Sequence, residues 1–107
     1  MYVDTNHLKE TCLLEQEIDS LNSPIHFPRA NLASIHLYGA YLVTAKLSAA
    51  NLSGANLSQA ILSCGDLSNA NLIGANLSGA YLQKANIQKA NLIATNLSNA
   101  ELESANM

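Results

Sequence analysis

Ala50-Asn51-Leu52-Ser53-Gly54 runs straight into Ala55-Asn56-Leu57-Ser58-Gln59, and the reading of this pair decides the fold. The same frame extends in both directions. Its central position recurs every five residues from 32 to 107, sixteen times; fourteen are Leu and the others are Ile87 and Met107. Two residues earlier stand thirteen alanines, interrupted by Ile35, Gly65 and Thr95, and nine of the sixteen residues in between are Asn. Ile25-His26-Phe27-Pro28-Arg29 fits the frame with larger apolar residues, which places the start of the repeat at 25.

A period of five suits neither regular element. On an α-helix each repeat advances Leu by about 140°, smearing it around every side. On a flat strand an odd period flips Leu to the opposite face each time. Leu points inward throughout only if the chain turns a corner once per repeat. Leu and the Ala two residues before it then share the inner side, because residues i and i−2 of an extended segment face the same way. Asn and the two residues after Leu face outward. The third corner position holds Gly39, Gly54, Asn69, Gly74, Gly79 and Asn99, residues tolerant of the positive φ of a type II turn. Thr44 at that position is β-branched, so a different turn is expected there.

The pattern closely resembles that of the pentapeptide repeat family over residues 25–107. The resemblance implies an all-β fold, a right-handed quadrilateral parallel β-helix with four repeats to a coil. Residues 25–107 then make about four coils and a rod of roughly 20 Å. Leu47, Leu52, Leu57, Leu62, Leu67, Leu72 and Leu77 are expected to be buried with their Ala partners and the Asn between them exposed. Residues 1–24 depart from the repeat and form a second unit. Val3, Leu14, Ile18 and Leu21 fall on one helical face, Asp4 or Thr5 is placed to cap it, and Ser23-Pro24 ends it. A short N-terminal α-helical cap closing the first coil is expected; the alternative is a helix that pairs two chains.

Charged residues are only 12% of the 107, with a net charge of −3. Residues 1–28 carry −4 and the rest +1, too little positive charge for a phosphate-tracking nucleic-acid binder. No apolar run reaches the roughly 18–20 residues of a membrane span, and Met1 to Leu21 do not read as a secretory signal. The expectation is a cytoplasmic domain, with neither nucleic acid nor membrane as partner. Cys12 and Cys64 lack metal-ligand spacing; Cys64 is expected to be an outward free thiol.

Catalytic constellations are missing from the pattern. His26 and His36 sit two repeats apart and point to opposite sides of a four-sided coil, and His7 lies outside the repeats. Ser48, Ser53, Ser58, Ser63, Ser68, Ser78 and Ser98 occupy a turn position with no recurring His or Asp partner. No glycine-rich phosphate cradle occurs. No enzyme activity, no metal and no cofactor are expected.

Specificity must then lie in the outward columns that stacking creates. Asn31, Asn51, Asn71 and Asn91 form one, an amide ladder. Lys46 and Asp66 are vertical neighbours, a surface pair worth little. Tyr41, Ile61 and Tyr81 form a column of large residues where Asn is the rule, the candidate partner-binding strip; Ile73 and Ile93 form a smaller one. The leading reading is a non-catalytic module presenting a rigid β-helical face to a protein partner of unknown identity. Homodimers are expected through the N-terminal segment or through the coil end at Leu92, Leu97, Leu102 and Met107. The resemblance also implies two alternatives: a DNA-mimic regulator of a type II topoisomerase, which near-neutral repeats disfavour, and a cyanobacterial regulatory protein acting through an unidentified partner.

Overall fold

In a computed structural model, residues 25–107 are described; the expected helical cap falls outside them. The described chain is a four-sided parallel β-helix in which every middle residue of a repeat bridges the residue twenty positions later. The bridges define four faces. The first runs His26, Lys46, Asp66, Asn86, Asn106; the second Asn31, Asn51, Asn71, Asn91; the third His36, Asn56, Asn76, Asn96; the fourth Tyr41, Ile61, Tyr81, Glu101. There is no helix among the described residues.

Each repeat of the inner coils has five backbone N–H groups, and a buried or crowded one needs an acceptor. Four find backbone carbonyls. Asn51 N–H donates to Ala30 of the coil below at 2.9 Å, Leu52 to Asn71 of the coil above at 2.8 Å, and Gly54 to Ile73 at 2.9 Å; Ala55 closes the corner by donating to Leu52 at 3.0 Å. The fifth N–H belongs to the residue after Leu, and the Asn side chain accepts it, as Asn51 Oδ1 does from Ser53 at 3.1 Å. Asn71, Asn76 and Asn96 repeat this at 2.9–3.1 Å. That bond is the physical reason for Asn at this position. The expected exposure is also corrected: Asn51, Asn56, Asn71, Asn76 and Asn86, each with a coil on both sides, are half-buried, whereas Asn31, Asn91 and Asn96 in the end coils make the same bond and stay exposed.

Every third corner residue from Arg29 to Ser104 has φ between 57° and 67°, as type II turns require. Thr44 is no exception at 61°, which corrects the expected change of turn. Its N–H must reach Ser63 of the next coil, at 3.0 Å, and that register overrides the β-branched preference. At Gly79 a Cβ would lie 2.2 Å from Gln59 Nε2, where φ is +66°.

The interior follows the repeat. Leu47, Leu52, Leu57, Leu62, Leu67, Leu72, Leu77 and Leu82 are all at most 2% exposed, flanked by Ala45, Ala50, Ala55, Ala60, Ala70, Ala75 and Ala80 at 1% or less. Each such Leu contributes about 1.5–3 kcal/mol. Thr95 replaces an inward Ala and donates its hydroxyl to the Leu72 carbonyl at 2.7 Å. Both end coils are looser: Leu32, Leu37, Leu92, Leu97 and Leu102 are half-buried, while Phe27 is 52% and Met107 71% exposed.

Candidate functional site

The inner stack is alike on all sides, so differences between faces arise from outward residues alone. On the second face the column after Leu runs Ala33, Ser53, Ile73 and Ile93, and Ile73 and Ile93 are 38% and 67% exposed. Small residues border them at the corner: Ser34, Gly54, Gly74 and Ala94. This is a flat, solvent-facing strip.

The fourth face is built differently. Its bridge column brings Tyr41, Ile61 and Tyr81 together as the repeat phase requires. Tyr41 is 37% exposed, Ile61 only 7%, and Tyr81 half-buried. Val43 and Ile61 form a second apolar cluster outside the main core, with Tyr81 against it. Beside them Val43, Ser63 and Gln83 are 4%, 0% and 4% exposed, although their positions point away from the rod axis. Ser63 Oγ donates to Gln83 Oε1 at 3.2 Å, and Gln83 Nε2 donates to Glu101 Oε2 at 2.9 Å. None of Tyr41, Ser63, Cys64 and Tyr81 is without a partner. Cys64, at the corner of this face, is disulfide-bonded. That corrects the expected free thiol; the chain has one other cysteine, Cys12.

On the first face Asp66 carries a carboxylate held below its ordinary range. The chief cause is the Ser68 hydroxyl, which donates to it at 2.6 Å, joined by the Ser68 N–H at 3.0 Å. Burial opposes the shift, and Lys46 in the coil below adds a smaller favourable field. Asp66 is thus an anionic version of the repeat Asn. His26 and His36 lie on the first and third faces, on opposite sides. Among the described residues no three His, Cys, Asp or Glu converge as metal ligands. An open polar depression of about 500 Å³ lies between Ser68, Asn69, Asn86, Gln88, Lys89 and Met107, lined by amides, a hydroxyl and one amine rather than by a nucleophile and its base. Among the described residues no helix is long and apolar enough to cross a membrane.

Sequence reasoning placed the columns correctly but missed the burial of Val43, Ser63 and Gln83. The local signal was the loss of Asn from the whole fourth face, which removes the side-chain acceptor used elsewhere.

The family model for pentapeptide repeats matches residues 26–63, 66–99 and 85–107, in eight copies. No curated protein matches the chain. Among solved structures, one similar chain is a pentapeptide repeat protein from the Arabidopsis thaliana thylakoid lumen, at TM-score 0.73 and 30% identity over 76% of this chain and 57% of that one. Another is Rfr23 from the cyanobacterium Cyanothece 51142, at TM-score 0.61 and 34% identity over 79% and 65%. A third is HetL from Nostoc sp. strain PCC 7120, a protein involved in heterocyst differentiation regulation, at TM-score 0.56 and 34% identity over 76% and 46%. The match therefore spans less than two thirds of each of these chains.

Proposed function

The chain belongs to the pentapeptide repeat family, and from that premise we propose that it is a non-catalytic protein–protein interaction module built on a right-handed β-helix. Proteins of this family are generally non-enzymatic repeat modules. The observation that carries the reading is the unbroken twenty-residue register. It fixes each outward column on a scaffold in which backbone bonds bind every coil to the next, so side chains are presented at a spacing of about 4.8 Å with little ordering left to do on binding. Tyr41, Ile61 and Tyr81 are the proposed recognition strip, because Tyr is enriched where interfaces concentrate their energy. The likeness to HetL favours a regulatory role exercised through such a partner. The repeats carry a charge of only +1, so binding to a topoisomerase as a DNA mimic lacks the anionic field it needs. The disulfide at Cys64 favours an oxidising compartment over the cytoplasm, since disulfides persist in the former and are reduced in the latter. End-to-end pairing through Leu92, Leu97, Leu102 and Met107 is the proposed homodimer, read by light scattering; a monomer at high concentration counts against it.

The test of the module reading is capture of partners from the source cell by the purified chain, with Tyr41→Ser/Tyr81→Ser beside it. A partner held by the wild type and lost by a folded double variant supports it. A partner retained by that variant moves recognition to another face. Inhibition of DNA supercoiling at low micromolar protein, lost as salt rises, would replace this reading with the DNA-mimic one.

A further inference from the structure

We propose that the first face is a docking surface for an acidic, extended segment of a partner protein, laid along the corner from Arg29 to Lys89. This surface is separate from the strip of Tyr41, Ile61 and Tyr81 and does not rest on it.

The charges of the described residues are sorted by face. Arg29, Lys46, Lys84 and Lys89 are their only Arg and Lys side chains, and all four are exposed. Lys46 stands in the first-face bridge column. Arg29 and Lys89 occupy the corner where this face ends, and Lys84 the corner where it begins. Asp66 is the one acid in that column, which leaves the face a surplus of three positive charges. The second and third faces carry no Asp, Glu, Lys or Arg. A near-neutral total hides this separation.

The acids are engaged and the cations are not. Asp66 accepts both donors of Ser68, and Glu101 accepts Gln83 Nε2 at 2.9 Å. Among the described residues no ion pair or side-chain hydrogen bond engages Arg29, Lys84 or Lys89. The field of Lys46 already acts on Asp66 in the next coil. Lys84 bonds through its backbone to Glu103 in the coil above, whose carboxylate offsets part of its charge. An outside anion therefore gains most at the corner of Arg29 and Lys89, because exposed charges act only within about 10 Å at 0.1 M salt.

That corner is a straight ledge. The Arg29 N–H donates to Ser48 at 2.8 Å, Ala49 to Ser68 at 2.8 Å and Asn69 to Gln88 at 2.9 Å, which stacks Arg29, Ala49, Asn69 and Lys89 in successive coils. Three coil steps set the two cations about 14 Å apart. Residues four apart on one side of an extended strand are about 13 Å apart, so two carboxylates at that spacing reach both. Ala49 and Asn69, exposed and uncharged, are the floor between them.

One end of the ledge has a seat. The open polar depression of about 500 Å³ brings Asn69, Asn86 and Gln88 beside Lys89. Asn86 Oδ1 is taken by the Gln88 N–H at 3.0 Å, which leaves its Nδ2 to donate. Amide donors next to an ammonium suit a carboxylate, since bonds to an ionised partner are stronger than neutral ones. A nucleic-acid strand fits less well: its affinity comes from neutralising many phosphates at once, and Ala49 and Asn69 neutralise none.

The experiment is fluorescence anisotropy on the full chain. The probe is a fluorescein-labelled peptide of Ser and Gly carrying glutamates four residues apart, run beside a twin with Gln for Glu and an oligothymidylate of equal charge. The acidic peptide saturates the protein, the Gln twin does not, and added salt weakens binding several-fold. Arg29→Gln/Lys89→Gln, checked for an unaltered circular dichroism spectrum, weakens the acidic peptide about tenfold, whereas Lys46→Gln stays within about twofold. In isotope-labelled protein the side-chain amide resonances of Asn86 and Gln88 shift on titration. Tyr41→Ser/Tyr81→Ser binds the peptide as the wild type does, so the two surfaces fail or stand separately. The proposal is overturned if the Gln twin binds equally, if Lys46→Gln costs as much as the double variant, or if the tyrosine variant loses the peptide. Tighter binding of the oligothymidylate would replace the acidic protein segment with a nucleic acid.

Discussion

The second and fourth faces share one backbone, one register and one inner stack of Leu and Ala, and yet they meet solvent in opposite ways. The second displays Ile73 and Ile93 to water. The fourth buries Val43, Ile61, Ser63 and Gln83. Inward positions are therefore interchangeable around the rod and carry no information about partners. Outward columns lie outside the Leu and Ala stack and, apart from the Asn that accepts the spare N–H, are free to differ. The Asn that satisfies the spare N–H on the second face is replaced on the fourth by Tyr, Ile, Tyr and Glu, whose neighbours pack and hydrogen-bond along the column instead.

The largest effect is expected where the two faces are the same. Leu52→Ala on the second and Leu62→Ala on the fourth should each cost about 3–5 kcal/mol, because both side chains are fully buried and leave a cavity between stacked coils. Urea melts of the two variants should superimpose. A gap between them larger than the error of the extrapolation would mean that the faces differ in their interior as well.

The outward column should separate the faces. Val43→Asp places a carboxylate where 4% of the residue is exposed and should cost about 2–4 kcal/mol. Ile73→Asp, on an exposed strip, should change stability by no more than about 0.5 kcal/mol. Equal melting temperatures for the two variants would remove the distinction.

Removing the Asn acceptor isolates the local part of the second face. Asn71→Ala strands the Ile73 N–H, now bonded at 3.1 Å, and should cost about 1 kcal/mol. The same Ala at Ile61 removes no such acceptor and acts through lost packing instead. Hydrogen exchange at the residue after Leu reads the difference directly: faster at Ile73 in the first variant, with no matching local rise at Ser63 from acceptor loss in the second.

The smallest effect concerns acid. The Asp66 carboxylate has a lowered pKa, chiefly through the Ser68 hydroxyl. A depressed carboxylate stabilises the fold above its unfolded pKa of about 3.9, and that contribution is lost as pH falls through the lower folded value. Asp66→Asn keeps an acceptor for Ser68 and should leave stability at neutral pH nearly unchanged while flattening this acid limb. A denaturation series below about pH 4 with identical slopes for both proteins would exclude Asp66 as its source.

Much of this molecule was written in its period. Leu52, Leu57 and Leu67 could be placed in the core because a five-residue repeat with corners keeps every Leu inward, and Tyr41, Ile61 and Tyr81 fell in one column through the four-sided coil that the family resemblance implies. Thr44 was misjudged because the corner φ is set by the bond from its N–H to Ser63 in the next coil, which outweighs its own preference. Asn51 is less exposed than its outward position implies because coils on both sides shield it, whereas Asn31 and Asn91 in the end coils make the same bond and are exposed.

The repeat alone placed the inward Leu and Ala and the outward positions, since these follow from contacts within one repeat; the four-sided coil that sets the columns came with the likeness to the pentapeptide repeat family. The folded coil separates the exposed second-face column from the buried fourth-face one and shows Cys64 bonded. Burial of an outward residue depends on its surroundings in three dimensions, and no periodicity within the repeats encodes it. Val43 and Ile73 hold the same position of the repeat and read alike there; burial separates them, at 4% and 38% exposed, because exposure belongs to the space a side chain enters and not to the position it leaves from.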